Sequence, residues 1–279
     1  MKLISACLFL LTLNITSFGQ KFHLDFYGGA SNYQGDLQYK RYTFKEACVA
    51  FGAGISYEIS DHLLLRTALT IAKVAADDKF NAPDINRNLN FTSPITEGQV
   101  AVQYFFRNMN DSRLAPYVFA GLALYHFNPY TFDSTGTRVY LHSLSTEGEG
   151  FVPGKNAYSL TQAAIPFGGG IKLALSDDIH VGLEVGLRKL FTDYLDDVST
   201  TYVDQALLLA NRGQQAVSLA YRGGELKNGA PYPVSGDIRG GSKYKDWYYF
   251  SLVTLSFRLG HNTTYYRSNS RVGCPTRLY

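Results

Sequence analysis

The sequence predicts an all-β fold: an antiparallel transmembrane outer-membrane barrel of about eight strands, with short periplasmic turns and long extracellular loops. Three observations point there. The chain opens with an export leader; it is rich in tyrosine and glycine yet has no apolar run of about 18 residues after that leader; and its apolar residues recur at every second position in segment after segment.

The leader is read at 1–19. Lys2 precedes an apolar run over 3–13, and Ser17-Phe18-Gly19 puts small residues at the −3 and −1 positions of a cleavage site, so cleavage is expected before Gln20. Leu3-Ile4-Ser5-Ala6-Cys7 faintly resembles a lipoprotein box, but it leaves too short a leader ahead of it. The mature chain then keeps Cys48 and Cys274. The net charge of +3, reduced to +2 without Lys2 (3 − 1), is too small to imply a nucleic-acid surface. The informative excess is 21 Tyr, 18 Phe and 26 Gly, which is high for a soluble domain.

Strands are expected at 21–30, 49–59, 63–71, 97–106, 116–127, 165–175, 179–187 and 247–259. In 49–59 the odd positions Val49, Phe51, Ala53, Ile55, Tyr57 and Ile59 are apolar, and the residues between are small or polar. The same alternation sets Leu63, Leu65, Leu69 and Ile71 against Arg66 and Thr70. It sets Val100, Val102, Tyr104 and Phe106 against Glu97, Gln99 and Gln103. In 116–127 both faces are apolar, so its orientation stays open. The segments at 165–175 and 179–187 form a hairpin around Ser176-Asp177-Asp178, with a twin around Ser60-Asp61-His62. An even strand count with connections that alternate short (near Asp61, Asn110 and Asp177) and long (31–43, 76–94, 128–160 and 192–245) favours a membrane barrel. A soluble barrel of lipocalin type is the alternative. The barrel is assigned to 20–260.

The less apolar face carries Asp25, Glu58, Arg66, Glu97, Lys172, Glu184, Arg188 and Arg258. About eight strands enclose only enough room for side chains, so these groups are expected to pair across a plugged lumen. His180, Glu184 and Arg188 share one face of one strand and have the chemistry of an acid–base set, but a filled barrel admits no substrate. Asp193, Asp196 and Asp197 lack the spacing of a calcium loop and are read as rim charge at the base of the longest outer loop. His126, His142, Ser143 and Ser145 fall on or beside one loop without a motif joining them, and the glycine clusters 168–170 and 223–224 lack the residues of a phosphate loop. No enzyme, cofactor or metal is expected. Within loop 192–245, residues 201–212 have helical spacing with Gly213 as a stop, forming either a lid or a docking element.

Several stretches carry a resemblance: "GGASNYQGDL" (28–37), "FGAGISYEISDHLLLRTALT" (51–70), "PYVFAGLALYHFNP" (116–129), "IPFGGGIK" (165–172), and above all "GLEVGLRKLFTDYLDDVSTTYVD" (182–204). The chain resembles the Bacteroidota outer-membrane barrel family that includes PorG, associated with the type IX secretion system and gliding motility. The resemblance covers nearly the whole mature chain and brings no catalytic residues. It implies an integral outer-membrane protein that anchors periplasmic ring proteins and meets other outer-membrane subunits of that machine. A small passive channel and a rim-located enzyme are the alternatives.

The tail, 261–279, is expected in the periplasm. It carries Tyr265, Tyr266, Arg267, Arg271, Arg277 and Tyr279 and no acid, which suits an acidic partner. Arg267, Arg271, Cys274 and Pro275 are its partner-binding candidates. Cys48 is expected a membrane thickness from Cys274, far beyond the roughly 7 Å between Cα atoms that a disulfide spans. Cys274 is therefore expected to be a free thiol or a bridge to another protein.

Overall fold

The computed structural model describes residues 21–40, 43–80, 85–109 and 112–260. The expected leader and the tail candidates Arg267, Arg271, Cys274 and Pro275 lie outside the described residues, as does Asn110 in one short turn.

Eight long strands form the wall: β1 (Phe22–Gln34), β2 (Cys48–Ser60), β3 (Leu63–Asp77), β4 (Asn90–Phe105), β5 (Leu114–Phe127), β8 (Thr161–Ala174), β9 (Ile179–Leu190) and β10 (Trp247–Leu259). Each is hydrogen-bonded to its two neighbours; β1 pairs with both β2 and β10, and β3 pairs with β4, which closes the sheet. Every pairing is antiparallel. Closure removes the free edges that hydrocarbon does not tolerate. A small hairpin, β6 (Tyr130–Phe132) with β7 (Arg138–Tyr140), extends from the outer end of β4 through Thr92 and Tyr130.

Alternation follows the prediction strand by strand. In β3, Leu64, Arg66, Ala68 and Thr70 are buried, whereas Leu65, Leu69 and Ile71 are exposed. The undecided strand β5 resolves the same way: Tyr117, Phe119, Tyr125 and Phe127 point inward, and Val118, Leu122 and Leu124 point out. Several strands run beyond the predicted outer ends, with β3 reaching Asp77 and β4 starting at Asn90, because the wall continues upward to meet the packed loops. Rings gather at the short-turn end, where Phe22 lies 4.9 Å from Tyr57 and Tyr104 lies 5.5 Å from Phe106. Such girdles mark a membrane boundary.

The twin hairpins differ in their turns. Asp61 and His62 alone link β2 to β3, with a bulge between Glu58 and Ser60, whereas residues 175–178 link β8 to β9. In the second hairpin, inner-face glycines leave room for large side chains within the lumen. A Cβ on Gly170 would stand 2.8 Å from the Tyr117 hydroxyl, and one on Gly186 would stand 2.4 Å from Arg188 Nη1.

The long loops form an ordered cap. Buried Leu37, Leu89, Leu141, Leu195, Val203 and Leu208 join Tyr33, Phe91, Phe127 and Phe250 from the wall in one apolar cluster. The cap helix, α1 (Gln205–Ala220), begins after Asp204, whose side chain accepts from the Leu207 N–H. The helix was expected over 201–212. It starts later, and Gly213, at φ +81° and ψ 179°, breaks it without ending it. Burial of Ala216, Val217, Leu219 and Ala220 restarts the helix beyond the break.

Candidate functional site

The lumen is a stack of charged tiers. Nearest the short turns, His23 Nε2 lies 2.6 Å from Glu58 Oε1, and Arg258 Nη2 donates to the same oxygen at 2.8 Å. Above them Asp25 accepts from the hydroxyls of Ser56 and Ser256, with Lys172 Nζ 3.6 Å away. In the third tier Arg66 donates to both oxygens of Glu184 at 2.6 and 3.1 Å, and the Tyr117 hydroxyl adds a bond of 2.6 Å. In the fourth, Arg188 donates to Glu97 through Nε and Nη2, each at 3.0 Å, and the Tyr248 hydroxyl donates at 2.5 Å. Both guanidiniums also lie over aromatic faces, Arg66 4.6 Å from the Phe119 centroid and Arg188 4.1 Å from that of Phe250. Bidentate geometry and ring contacts are what a buried guanidinium needs to offset its lost hydration.

All eight ionic residues anticipated for the lumen therefore meet partners, but not along their own strands. Glu184 and Arg188 are strand-mates, yet each pairs across the lumen, and His180 hydrogen-bonds neither. Its ring lies 6.2 Å from that of His23. No acid–base set assembles on β9. Above the fourth tier, fully buried Ile95, Tyr125, Phe127 and Phe250 complete the filling.

The carboxylate knot requires a correction. Asp193, Asp196 and Asp197 lie at the base of the longest loop as anticipated, but they are not solvated rim charges; their relative exposures are 2%, 1% and 0%. Each is occupied from within. Asp193 accepts from Ser199 at 2.9 Å, Asp196 from Tyr33 at 2.6 Å, and Asp197 from Thr146 and Tyr158 at 2.6 and 2.7 Å. Folding the four loops together excludes water from a segment that looks surface-like when read locally.

Sequence reasoning missed the hub of this cap. Glu147 accepts from the amides of Ser199 and Thr200, both at 2.8 Å, and from Arg239 at 3.0 Å. Arg239 also donates to the carbonyls of Asp197 and Ala220 at 2.5 and 3.2 Å. Arg87 binds both oxygens of Asp78 and reaches the carbonyls of Asp36 and Arg239. Asp246 accepts from the Leu195 amide at 2.9 Å. The available signal was weak: a glycine-bracketed "EGEG" and lone arginines far along the chain.

Burial dominates the acidities in the cap. It pushes Glu149 up to about 7, helped by the charges of Asp197 and Glu147. It pushes Asp193 to about 7 and Asp197 to about 6, and holds Asp196 and Asp246 well above the ordinary carboxylate range. Among the described residues, no group of three or more His, Cys, Asp or Glu is arranged to hold a metal ion. His126, His142, Ser143 and Ser145 contact different partners, Thr161, the Tyr158 carbonyl, the Tyr140 carbonyl and Arg212 respectively. Cys48 is a free, half-buried thiol.

A closed antiparallel barrel with an apolar exterior, a polar and filled interior, short turns at one end and built loops at the other is an outer-membrane β-barrel. The chain belongs to the family described as "Domain of unknown function (DUF6089)", which matches residues 1–209. No curated protein matches it in sequence. Among solved structures it is similar to Neisserial surface protein A (9% identity, TM-score 0.42, covering 85% of this chain and 96% of that one). It is also similar to Ail of Yersinia pestis (5%, TM-score 0.41, covering 85% and 97%) and to OprG of Pseudomonas aeruginosa (12%, TM-score 0.41, covering 86% and 97%).

Proposed function

We propose that this protein is a non-conducting anchor in the outer membrane, a structural component of the type IX secretion and gliding machinery that holds periplasmic ring proteins without catalysing a reaction. The observation that carries the non-conducting part is the four-tier lumen, in which four carboxylates and four cations are paired beneath a packed cap. A diffusion pore needs a continuous wet path, and opening one here means separating buried charge pairs, each worth several kcal/mol. The assignment to the secretion machine is supported by the resemblance of the 182–204 block and its neighbours, and the basic tail is the part proposed to touch the ring.

Affinity purification of the tagged protein from its native outer membrane tests the anchor role. Ring proteins are expected to co-purify and to be lost when 261–279 are deleted; recovery of the barrel alone would overturn it. Planar-bilayer recording tests the sealed lumen. The expected trace is flat, and a steady conductance that changes in Glu184→Gln would establish a channel instead.

A further inference from the structure

A cavity of about 470 Å³ opens at the outer margin of the wall, between the segment after β1 and the return to β10. Its rim carries Tyr39, Ile238, Tyr244, Lys245 and Trp247. Tyr39 is 51% exposed, Tyr244 76% and Ile238 82%. The floor is rigid. Asp36 accepts from the Gly241 amide through both oxygens, at 3.0 and 2.9 Å, and Arg87 is held by Asp78.

The cavity's height follows from Trp247, the first residue of β10, which stands opposite Gln34 on β1 and Lys189 on β9. The strand from there to Leu259 rises about 30 Å at ~3.3 Å per residue and a tilt of ~40°. Trp247 is therefore at the outer boundary of the bilayer. Its ring sits edge-on to Phe167, 6.1 Å away on the lipid-facing side of β8. One wall of the cavity is thus also the top of the greasy exterior. Lys189 is exposed on that same exterior, directly across from Trp247, and exposed Lys245 lies two residues before it.

Flat rings suit the C–H face of a sugar, and paired ammonium groups suit a phosphate. The geometry points to a binding site for the phosphorylated saccharide headgroup of an outer-leaflet glycolipid. The sugar lies against Tyr39, Tyr244 and Trp247, its phosphate is met by Lys245 and Lys189, and its acyl chains descend the wall past Phe167. A soluble sugar phosphate shares the headgroup chemistry. The lipid is favoured because Trp247 belongs both to the cavity and to the membrane-facing surface.

The test uses the full chain folded in detergent micelles, with bisphosphorylated lipid A as probe and retention read by native mass spectrometry. The Tyr244→Ser/Lys245→Gln double variant is expected to weaken retention about tenfold, as loss of a ring contact and a charge-assisted contact implies. Lys189→Gln, on a rigid strand, is expected to weaken it severalfold and keeps the test decisive if the loop variant fails to fold. Lys79→Gln, at another exposed lysine, is expected to change nothing, and dephosphorylated lipid A or glucosamine 1-phosphate to bind much more weakly. Unchanged retention in both the Tyr244→Ser/Lys245→Gln and the Lys189→Gln variants, or an equal loss in Lys79→Gln, would overturn the site. Equal binding of glucosamine 1-phosphate would show a site for soluble sugars and overturn the lipid assignment.

Discussion

The charges of the wall and the charges of the cap are equally buried but are neutralised in different ways. In the lumen Asp25, Glu58, Glu97 and Glu184 face Lys172, Arg258, Arg188 and Arg66 one for one. In the cap Asp36, Asp78, Glu147, Glu149, Asp193, Asp196, Asp197 and Asp246 share Arg87 and Arg239. The cap makes up the shortfall with hydroxyl and amide donors and with protons that burial keeps on several carboxyls. The difference follows from surroundings. A wall set in hydrocarbon has no water to supply protons or counterions and must balance its charge with side chains. A cap bathed on one side by water exchanges protons with it.

The sharpest way to break this contrast is to remove one acid from the wall. Glu184→Ala strands Arg66 with an uncompensated charge among Tyr27, Phe119 and Tyr117. It is expected to cost about 3–5 kcal/mol, read as a lower urea midpoint for the heat-modifiable folded band. Pairing it with Arg66→Met should restore most of the loss, because a neutral pair of similar bulk carries no stranded charge. A single-variant cost below about 1 kcal/mol would mean that the pairs are not shielded as described. The matching change in the cap, Arg239→Met, frees Glu147 and the carbonyls of Asp197 and Ala220 together. Its expected cost is about 2–4 kcal/mol, confined to the loops. Amide exchange over 191–246 should accelerate while the wall strands keep their protection.

Changing pH sharpens the comparison further. Glu149, Asp193 and Asp197 are raised in the folded cap to about 7, 7 and 6, from ordinary values of 4.5, 3.8 and 3.8. A group raised on folding adds stability that is complete below its unfolded value and disappears as pH rises through its folded value. The cap is therefore expected to be tighter at pH 5 than at pH 8, with most of the change between about pH 4 and 7. Loop exchange rates, corrected for intrinsic chemistry, should show this. Asp193→Asn should flatten part of the response, since its neutral amide mimics the protonated form. A cap that loosens as the pH is lowered from 8 to 5 would contradict the burial of these acids.

The wall was legible because a barrel in lipid forces a period of two on every strand, and every predicted segment except 116–127 carried it. What remained hidden depends on closure. Arg66 and Glu184 are 118 residues apart, and nothing local says which acid each guanidinium meets. The inward face of β5 was undecided because Tyr117 and Tyr125 read as apolar, although the Tyr117 hydroxyl completes the third tier. The knot at Asp193, Asp196 and Asp197 misled for the opposite reason. Its charge density suggests solvent, and the Tyr33 hydroxyl that satisfies Asp196 lies 163 residues away. The helix was found but misplaced, since its second half is fixed by burial and its first half by a cap residue.

That division of α1 gives the smallest effect. Asp204 satisfies the Leu207 amide at 2.9 Å, and on the first half only Leu208 is buried, whereas Ala216, Val217, Leu219 and Ala220 bury the second. Gly213 separates the halves by leaving helical geometry, so hydrogen bonding does not pass continuously between them. Asp204→Ala is therefore expected to cost about 1 kcal/mol, all of it in the first half. Exchange over 207–212 should rise about fivefold while 216–220 stays protected, because the apolar cluster beneath the second half holds it in place whatever the first half does. Equal acceleration of both halves would show that α1 unfolds as one unit and that burial does not hold the second half independently of the cap.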